Sequence, residues 1–253
     1  MPSPRLHVGT SGYNFPEWRG TFYPAKLASA KWLEYYAQQL GTVEINYTFY
    51  RMPSAKTVAG WYAATPESFR FVVKAPQRIT HIARLRNIDE PLRLFVEVIR
   101  KLNAKLGAVL FQLPPNFKKD VARVGDLLTQ FPTDVRAACE FRHPSWWSDD
   151  VYELLRSTNT ALCIADTEEG TSPVVATADF GYVRLRDTGY SEPELAEWLA
   201  KLRDIGGEAG WTDAFVFFKH EAQGVGPKLA AQLTSLAGSA DPGTAHRSTP
   251  ESA

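Results

Sequence analysis

Eight short runs rich in Val, Ile, Leu and Phe recur along the chain, and helix-period stretches separate most of them. The runs are Leu6–Thr10, Val43–Asn46, Phe69–Lys74, Ala108–Gln112, Arg136–Arg142, Ala161–Asp166, Tyr182–Arg186 and Phe215–His220. The amphipathic stretches are "SAKWLEYYAQQL", "SAKTVAGWYAAT", "EPLRLFVEVIRKLNAKL", "DVARVGDLLTQF", "SDDVYELLRST", "SEPELAEWLAKLRDI" and "GPKLAAQLTSL". A helix between two strands brings the second back parallel to the first, so the alternation predicts a parallel sheet. Eight strands in 253 residues predict one domain, an α/β TIM-type (β/α)8-like barrel over residues 1–237. Ser29, Ser54, Ser148 and Ser191 stand at helix starts as candidate N-caps. One linker breaks the pattern. "TEEGTSPVVATA", after the sixth run, has no helical period and predicts an irregular crossover. The segment 238–253, "GSADPGTAHRSTPESA", is small and polar and reads as a disordered tail.

Composition narrows the function classes. At 44% hydrophobic and 22% charged, the chain has the make-up of a soluble globular protein. Its formal net charge is zero, which argues against a protein that coats nucleic acid but leaves room for a local basic cleft. No stretch approaches the roughly 20 apolar residues of a membrane span, so no membrane partner is expected. The N-terminus lacks an apolar signal region, and the cytoplasm is the expected location. Cys139 and Cys163 lie in apolar runs without CxxC spacing, which predicts buried, reduced thiols.

In a barrel of this kind the active site is built at the C-terminal strand ends. Those ends carry Glu44 and Asn46, Lys74, Gln112, Glu140 and Arg142, Asp166, Arg184 and Arg186, and Lys219 and His220. Side chains alternate faces along a strand. Glu44 therefore shares a face with Asn46, Glu140 with Arg142, and Arg184 with Arg186. Val43, Ile45, Cys139, Phe141, Val183 and Leu185 take the helix-facing side. Burying a charge costs on the order of several kcal/mol unless it is paired. A ring of acids and bases on inward positions is therefore a self-satisfied network or a site for a polar ligand, and the joint pattern favours the site. Glu44, Glu140, Asp166 and Lys74 are the candidate catalytic groups. Asn46, Gln112, Arg142, Arg184, Arg186, Lys219 and His220 are the candidate binding groups. Loop aromatics add Tyr13, Trp18 and Trp147, which pack as lids or stack a ring of the ligand.

Several chemistries lack a signature. No HxH or HExxH spacing occurs, and no cofactor is called for. A divalent ion held by His81, His143 or His220 with Glu44, Glu140 or Asp166 is the one metal alternative. Glu44 and Glu140 could form a glycosidase pair, but Lys74 and Arg142 would lower their pKa and disfavour the acid role. Lys74 or Lys219 could serve as a Schiff-base amine, although pairing with Glu or Asp is the commoner fate. No G-x-S-x-G elbow, G-x-G-x-x-G or P-loop is present. Arginine forks suit carboxylate and phosphate. The leading expectation is an enzyme, a hydrolase, lyase or isomerase, acting on a small anionic substrate at the barrel mouth. The rivals are a nucleic-acid-binding module and a non-catalytic structural barrel.

The stretches "GTSGYNFPEWRGTFYP", "VEINYTFYRMPSAKTVAGWYAATPESFRFVVKAPQRITH", "LGAVLFQLPPNF", "EFRHPSWW" and "YVRLRD" resemble the YecE-like family, domain-of-unknown-function family seventy-two. The resemblance spans about Leu6 to Leu236 and implies a TIM-type barrel without an assigned activity. By position it points to Gly9, Ser11, Gly12, Trp18 and Tyr23, then to Glu44, Asn46, Phe49, Tyr50 and Arg51. It continues through Lys74, Thr80, His81, Gln112, Pro114, Glu140, Arg142, Trp146, Asp166 and Arg184. Two departures stand out. Many members resemble Y-x-R-x-H-G at the seventh strand, where this chain has Arg186 and Asp187. Many end the eighth strand in an Asn pair, where this chain has Lys219 and His220.

Overall fold

The structure, a computed structural model, describes residues 3–187, 189–220 and 222–239. Eight parallel strands close on themselves: β1 (Arg5–Ser11), β2 (Thr42–Ile45), β3 (Arg70–Lys74), β4 (Leu106–Gln112), β5 (Ala137–Glu140), β6 (Ala161–Thr167), β8 (Phe180–Leu185) and β9 (Asp213–Phe218). The pairing of β5 with β6 closes the ring. A two-residue strand, β7 (Gly170–Thr171), folds back antiparallel on β6. It occupies the expected irregular crossover, and no helix stands between β6 and β8. The helices are α1 (Trp32–Gln39), α2 (Tyr47–Tyr50), α3 (Ala55–Ala63), α4 (Asp89–Ile99), α5 (Val121–Gln130), α6 (Asp149–Ser157), α7 (Glu192–Ala209) and α8 (Val225–Ser239). The architecture is the expected single-domain TIM-type barrel. Among the described residues, no helix is long and apolar enough to cross a membrane.

Local chemistry fixes the elements. Ser54 caps α3 by accepting the Thr57 amide. At α7, Ser191 and Glu194 form a capping box, with the Glu194 carboxylate accepting the Ser191 amide at 2.7 Å. Ser148 precedes α6, but its side chain makes no cap hydrogen bond. Ser29 is no N-cap: it opens a 3-10 turn, and α1 starts at Trp32. The long stretch from Glu90 is not one helix either. α4 stops at Ile99, and a 3-10 segment with Asn103 at φ 47° turns the chain into β4. α8 takes in Gly238 and Ser239, the first residues of the expected tail; the rest of that tail lies outside the described residues.

Two apolar layers hold the barrel. The larger lies between strands and helices and includes Val43, Ile45, Cys139, Phe141, Val183 and Leu185, as alternation required. The smaller fills the barrel interior with Val72, Leu110, Cys163, Tyr182, Phe215 and Phe217. Close approach sets Gly9, where an added Cβ would lie 2.1 Å from the Thr42 carbonyl oxygen on the neighbouring strand. Both cysteines are buried and free, one in each layer.

Candidate functional site

The site is built on β8. Tyr182 and Arg184 sit two residues apart and both turn inward. The Arg184 guanidinium bridges two strands, donating from Nη2 to Glu44 Oε1 at 2.9 Å and from Nη1 to Glu140 Oε2 at 2.5 Å. Tyr182 donates to the other Glu44 oxygen at 2.6 Å. Gln112, ending β4, donates from Nε2 to Glu140 Oε2 at 2.8 Å and accepts from Lys74 Nζ at 2.8 Å. A continuous polar chain thus crosses the mouth: Tyr182, Glu44, Arg184, Glu140, Gln112, Lys74. Glu44 and Glu140 have no exposed surface, and Arg184 is 1% exposed. Burial on that scale is tolerable only because each carboxylate has a charged partner.

The network has an unfinished upper side. Glu140 Oε1 accepts no hydrogen bond, although Arg142 Nε lies at 3.4 Å and Arg186 Nη2 at 3.6 Å. The Nε atoms of Arg184 and Arg186 are buried without a hydrogen-bond partner, as are Ser11 Oγ and Asn46 Oδ1. Buried polar atoms are rarely left so. Above them opens a cavity of about 750 Å³. Lys74, Gln112 and Arg184 line it, with Arg142, Arg186 and Lys219 at its side and Tyr13, Asn46, Phe49, Trp61 and His81 around it. Among the described residues, no carboxylate lines it. A second hollow of about 890 Å³ shares Arg142, Arg186 and Lys219, and runs to Trp147 and the β6–β7 turn.

Electrostatics follow from this packing. Burial alone would raise the Glu140 pKa, but Arg184, Arg186, Arg142 and the Gln112 amide hold it down to about 2. Burial pushes the Lys74 ammonium down to about 8, helped by Arg184 and Lys219 and opposed by Glu44 and Glu140. Burial, then Lys74 and Arg142, pushes His81 down to about 4, which leaves a neutral imidazole. A single π-turn, Arg78–Ile82, carries His81 to the cavity, where its ring meets Phe49 edge-on.

The sequence-predicted residues separate into those at the mouth, three that point elsewhere, and Trp147. Glu44, Asn46, Lys74, Gln112, Glu140, Arg142, Arg184, Arg186, Lys219 and Tyr13 converge at the mouth. Three others point elsewhere. Asp166 has the opposite parity to inward Cys163, and its carboxylate accepts from Thr171 Oγ1 at 2.5 Å and Tyr190 OH at 2.7 Å. It does not line the cavity. Trp18 is 1% exposed and packs against Phe15, Phe22 and Tyr23, so neither face is open to stack a ligand. His220 turns its Nε2 to the Asp187 carbonyl. Trp147 edges the second hollow. The possible metal ligands are likewise dispersed: His143 bonds Ser145 and His81 bonds Thr80. Among the described residues, no three His, Cys, Asp or Glu side chains are grouped to hold an ion.

Sequence reasoning missed Tyr182 as the partner of Glu44. Its position two residues before Arg184 was the available signal. It also missed an ionic cluster at the opposite barrel end, where Asp213 meets Arg5, His7 and Arg136.

The fold is a TIM-type barrel, and comparison with known proteins gives its family. The sequence profile described as "Protein of unknown function DUF72" matches residues 7–253, and the chain belongs to that family. It is similar to the UPF0759 protein YunF of Bacillus subtilis, 28% identical over 91% of this chain and 94% of YunF. It is also similar to YecE of Escherichia coli K12, 28% identical over 56% of this chain and 50% of YecE. Among solved structures, a DUF72 protein from Thermotoga maritima superposes with a TM-score of 0.80 at 27% identity, covering 92% of this chain and 99% of that one. A DUF72 protein from Enterococcus faecalis gives 0.77 at 21% identity, over 92% of this chain and 95% of its own, and shares the fold.

Proposed function

We propose that this chain is an enzyme that acts on a small substrate bearing a carboxylate or phosphate, bound in the mouth cavity. One observation carries the reading: the cavity is lined by Lys74, Arg142, Arg184 and Arg186 and, among the described residues, by no carboxylate. The acids that balance part of this charge, Glu44 and Glu140, lie beneath it and are already held by Arg184. The orphaned Nε atoms of Arg184 and Arg186 are further donors at the same place. An anion entering the cavity would meet preorganised charge, part of it on the largely buried Lys74 and Arg184. Arg142 and Arg186 would hold the anion. Glu44 and Glu140 are engaged in ion pairs and Asp166 turns away, so Lys74 is the group best placed to exchange a proton. The fully buried Trp18 removes one of the aromatic platforms on which the nucleic-acid reading rested.

A thermal-shift screen against phosphate- and carboxylate-bearing metabolites at low salt tests the proposal. A ligand that binds only the folded state raises its melting temperature by mass action. The expected result is a shift for an anionic subset, lost in Arg142→Ala while the unliganded melt is kept. No shift across the panel, or a shift retained in both Arg142→Ala and Arg186→Ala, would overturn it.

A further inference from the structure

We propose that Lys74 is the reacting amine of this site, forming an imine with a carbonyl compound that also carries a carboxylate or phosphate. The inference rests on the anion-binding reading above and adds the substrate class and the covalent step.

The geometry singles out this lysine. A buried lysine ordinarily sits against a carboxylate, which keeps it charged and unreactive. Lys74 is 9% exposed and at the end of β3, yet no carboxylate lies within ion-pair distance among the described residues. Its hydrogen-bond partner is the neutral Gln112 amide oxygen at 2.8 Å. That amide is itself fixed, because its Nε2 is committed to Glu140. Gln112 thereby links Lys74 to Glu140 through a neutral amide rather than an ion pair. Phe49 packs its ring face against Nζ at 4.1 Å. Nζ faces the cavity, with cationic Arg184 among its neighbours. Desolvation next to another cation is the usual way a lysine becomes a nucleophile near neutral pH, and the Lys74 ammonium is accordingly pushed down to about 8. Lys105 makes the contrast. It is 1% exposed, but its Nζ donates to the Tyr62 and Thr65 carbonyls and it lines none of the mouth.

The step balances without a further reactant. The Nζ lone pair attacks the carbonyl carbon, a C–N bond forms, and the C=O π pair moves to oxygen. The oxygen takes a proton while nitrogen gives one up, leaving a carbinolamine. A proton from solvent then lets the hydroxyl leave as water, and nitrogen donates its pair to give the protonated imine. Amine, carbonyl and one proton become iminium and water. The substrate anion meanwhile pairs with Arg142 and Arg186 at the cavity side.

Reductive trapping tests this on the full chain. The protein is incubated with glyoxylate, or with propionaldehyde as an uncharged control, in the presence of cyanoborohydride, and adducts are mapped by peptide mass spectrometry. At low probe concentration the glyoxylate adduct should fall on Lys74 ahead of surface lysines. Its rate should rise about tenfold between pH 7 and pH 9 and then level off, whereas an ordinary lysine rises about a hundredfold over the same interval. Arg142→Ala should slow trapping of glyoxylate but not of propionaldehyde. Lys74→Arg should remove the adduct while keeping the wild-type melting curve. Because the wild-type map locates the adduct directly, the test does not depend on that variant folding. Adducts spread over exposed lysines, or none on Lys74 with either probe, would overturn the inference. If anions still stabilise the protein in that case, the binding site stands and only the amine chemistry fails. If they do not, both readings fall.

Discussion

The two ends of the barrel carry similar residues and finish them differently. At the N-terminal end, one carboxylate gathers three donors. Asp213 accepts from Arg5 Nε and Arg136 Nη1, and pairs with His7 Nε2, each at 2.8 Å. Both its oxygens are used, and its cationic partners reach the surface, with Arg5 67% and Arg136 33% exposed. At the C-terminal end, one guanidinium gathers two carboxylates, and all three are buried. There the orphaned atoms collect: of the buried side-chain atoms without hydrogen bonds among the described residues, all but Trp211 Nε1 belong to residues at the strand C-termini. A cluster that satisfies itself and opens to water is a clasp for the fold. A cluster that buries its charges beneath a cavity is the one proposed above as the binding site.

This contrast predicts an order of mutational effects. The largest belongs to Arg184→Met. It leaves Glu44 and Glu140 buried and facing one another without their shared cation, and should cost about 3–5 kcal/mol in urea unfolding. The loss should shrink at pH 4, where the orphaned carboxylates take up protons. If Arg184→Met is as stable as wild type, the mouth network is not held by this residue. Asp213→Asn should cost less, about 1–3 kcal/mol by the same measurement, because Arg5 and Arg136 can turn to solvent when the charge is removed. A larger loss than for Arg184→Met would reverse the assignment of clasp and site.

A smaller effect is read from pH. Folding depresses the Glu140 pKa, so the unfolded chain binds the proton more tightly and stability rises with pH through the window. The stabilisation is complete above the ordinary glutamate value of about 4.3 and is lost as pH falls towards about 2. Glu140→Gln should flatten part of the acid-side decline in melting temperature over that interval. An unchanged slope would mean that Glu140 is not ionised in the folded protein.

How far the sequence revealed this depends on which interaction decides each residue. Strand and helix period is a local property, and it gave the barrel, its order and the break between β6 and β8. Parity along a strand is nearly local, and it placed Glu44, Glu140 and Arg184 on the inward face. Parity alone does not say which set faces inward; a neighbour must anchor it. Asp166 looked like its fellow acids at a strand end, but Cys163 takes the inward position and Asp166 turns to Thr171 and Tyr190. Trp18 looked like a rim aromatic, but its burial depends on Phe15, Phe22 and Tyr23 folding over it. The Asp213 cluster joins β1, β9 and the start of β5 across the closed ring, and no local pattern announces it.

An anion is proposed to bind at the mouth and not at the opposite end. The direct measurement is titration calorimetry at low salt with the best anionic ligand from the screen, comparing wild type with Arg142→Ala and Arg136→Ala. Arg142 is partly solvent-exposed, so its loss should change stability by no more than about 1 kcal/mol, and any loss of binding reports the site. Binding should be abolished in Arg142→Ala and unchanged in Arg136→Ala. Binding that survives Arg142→Ala and disappears in Arg136→Ala would contradict the proposal.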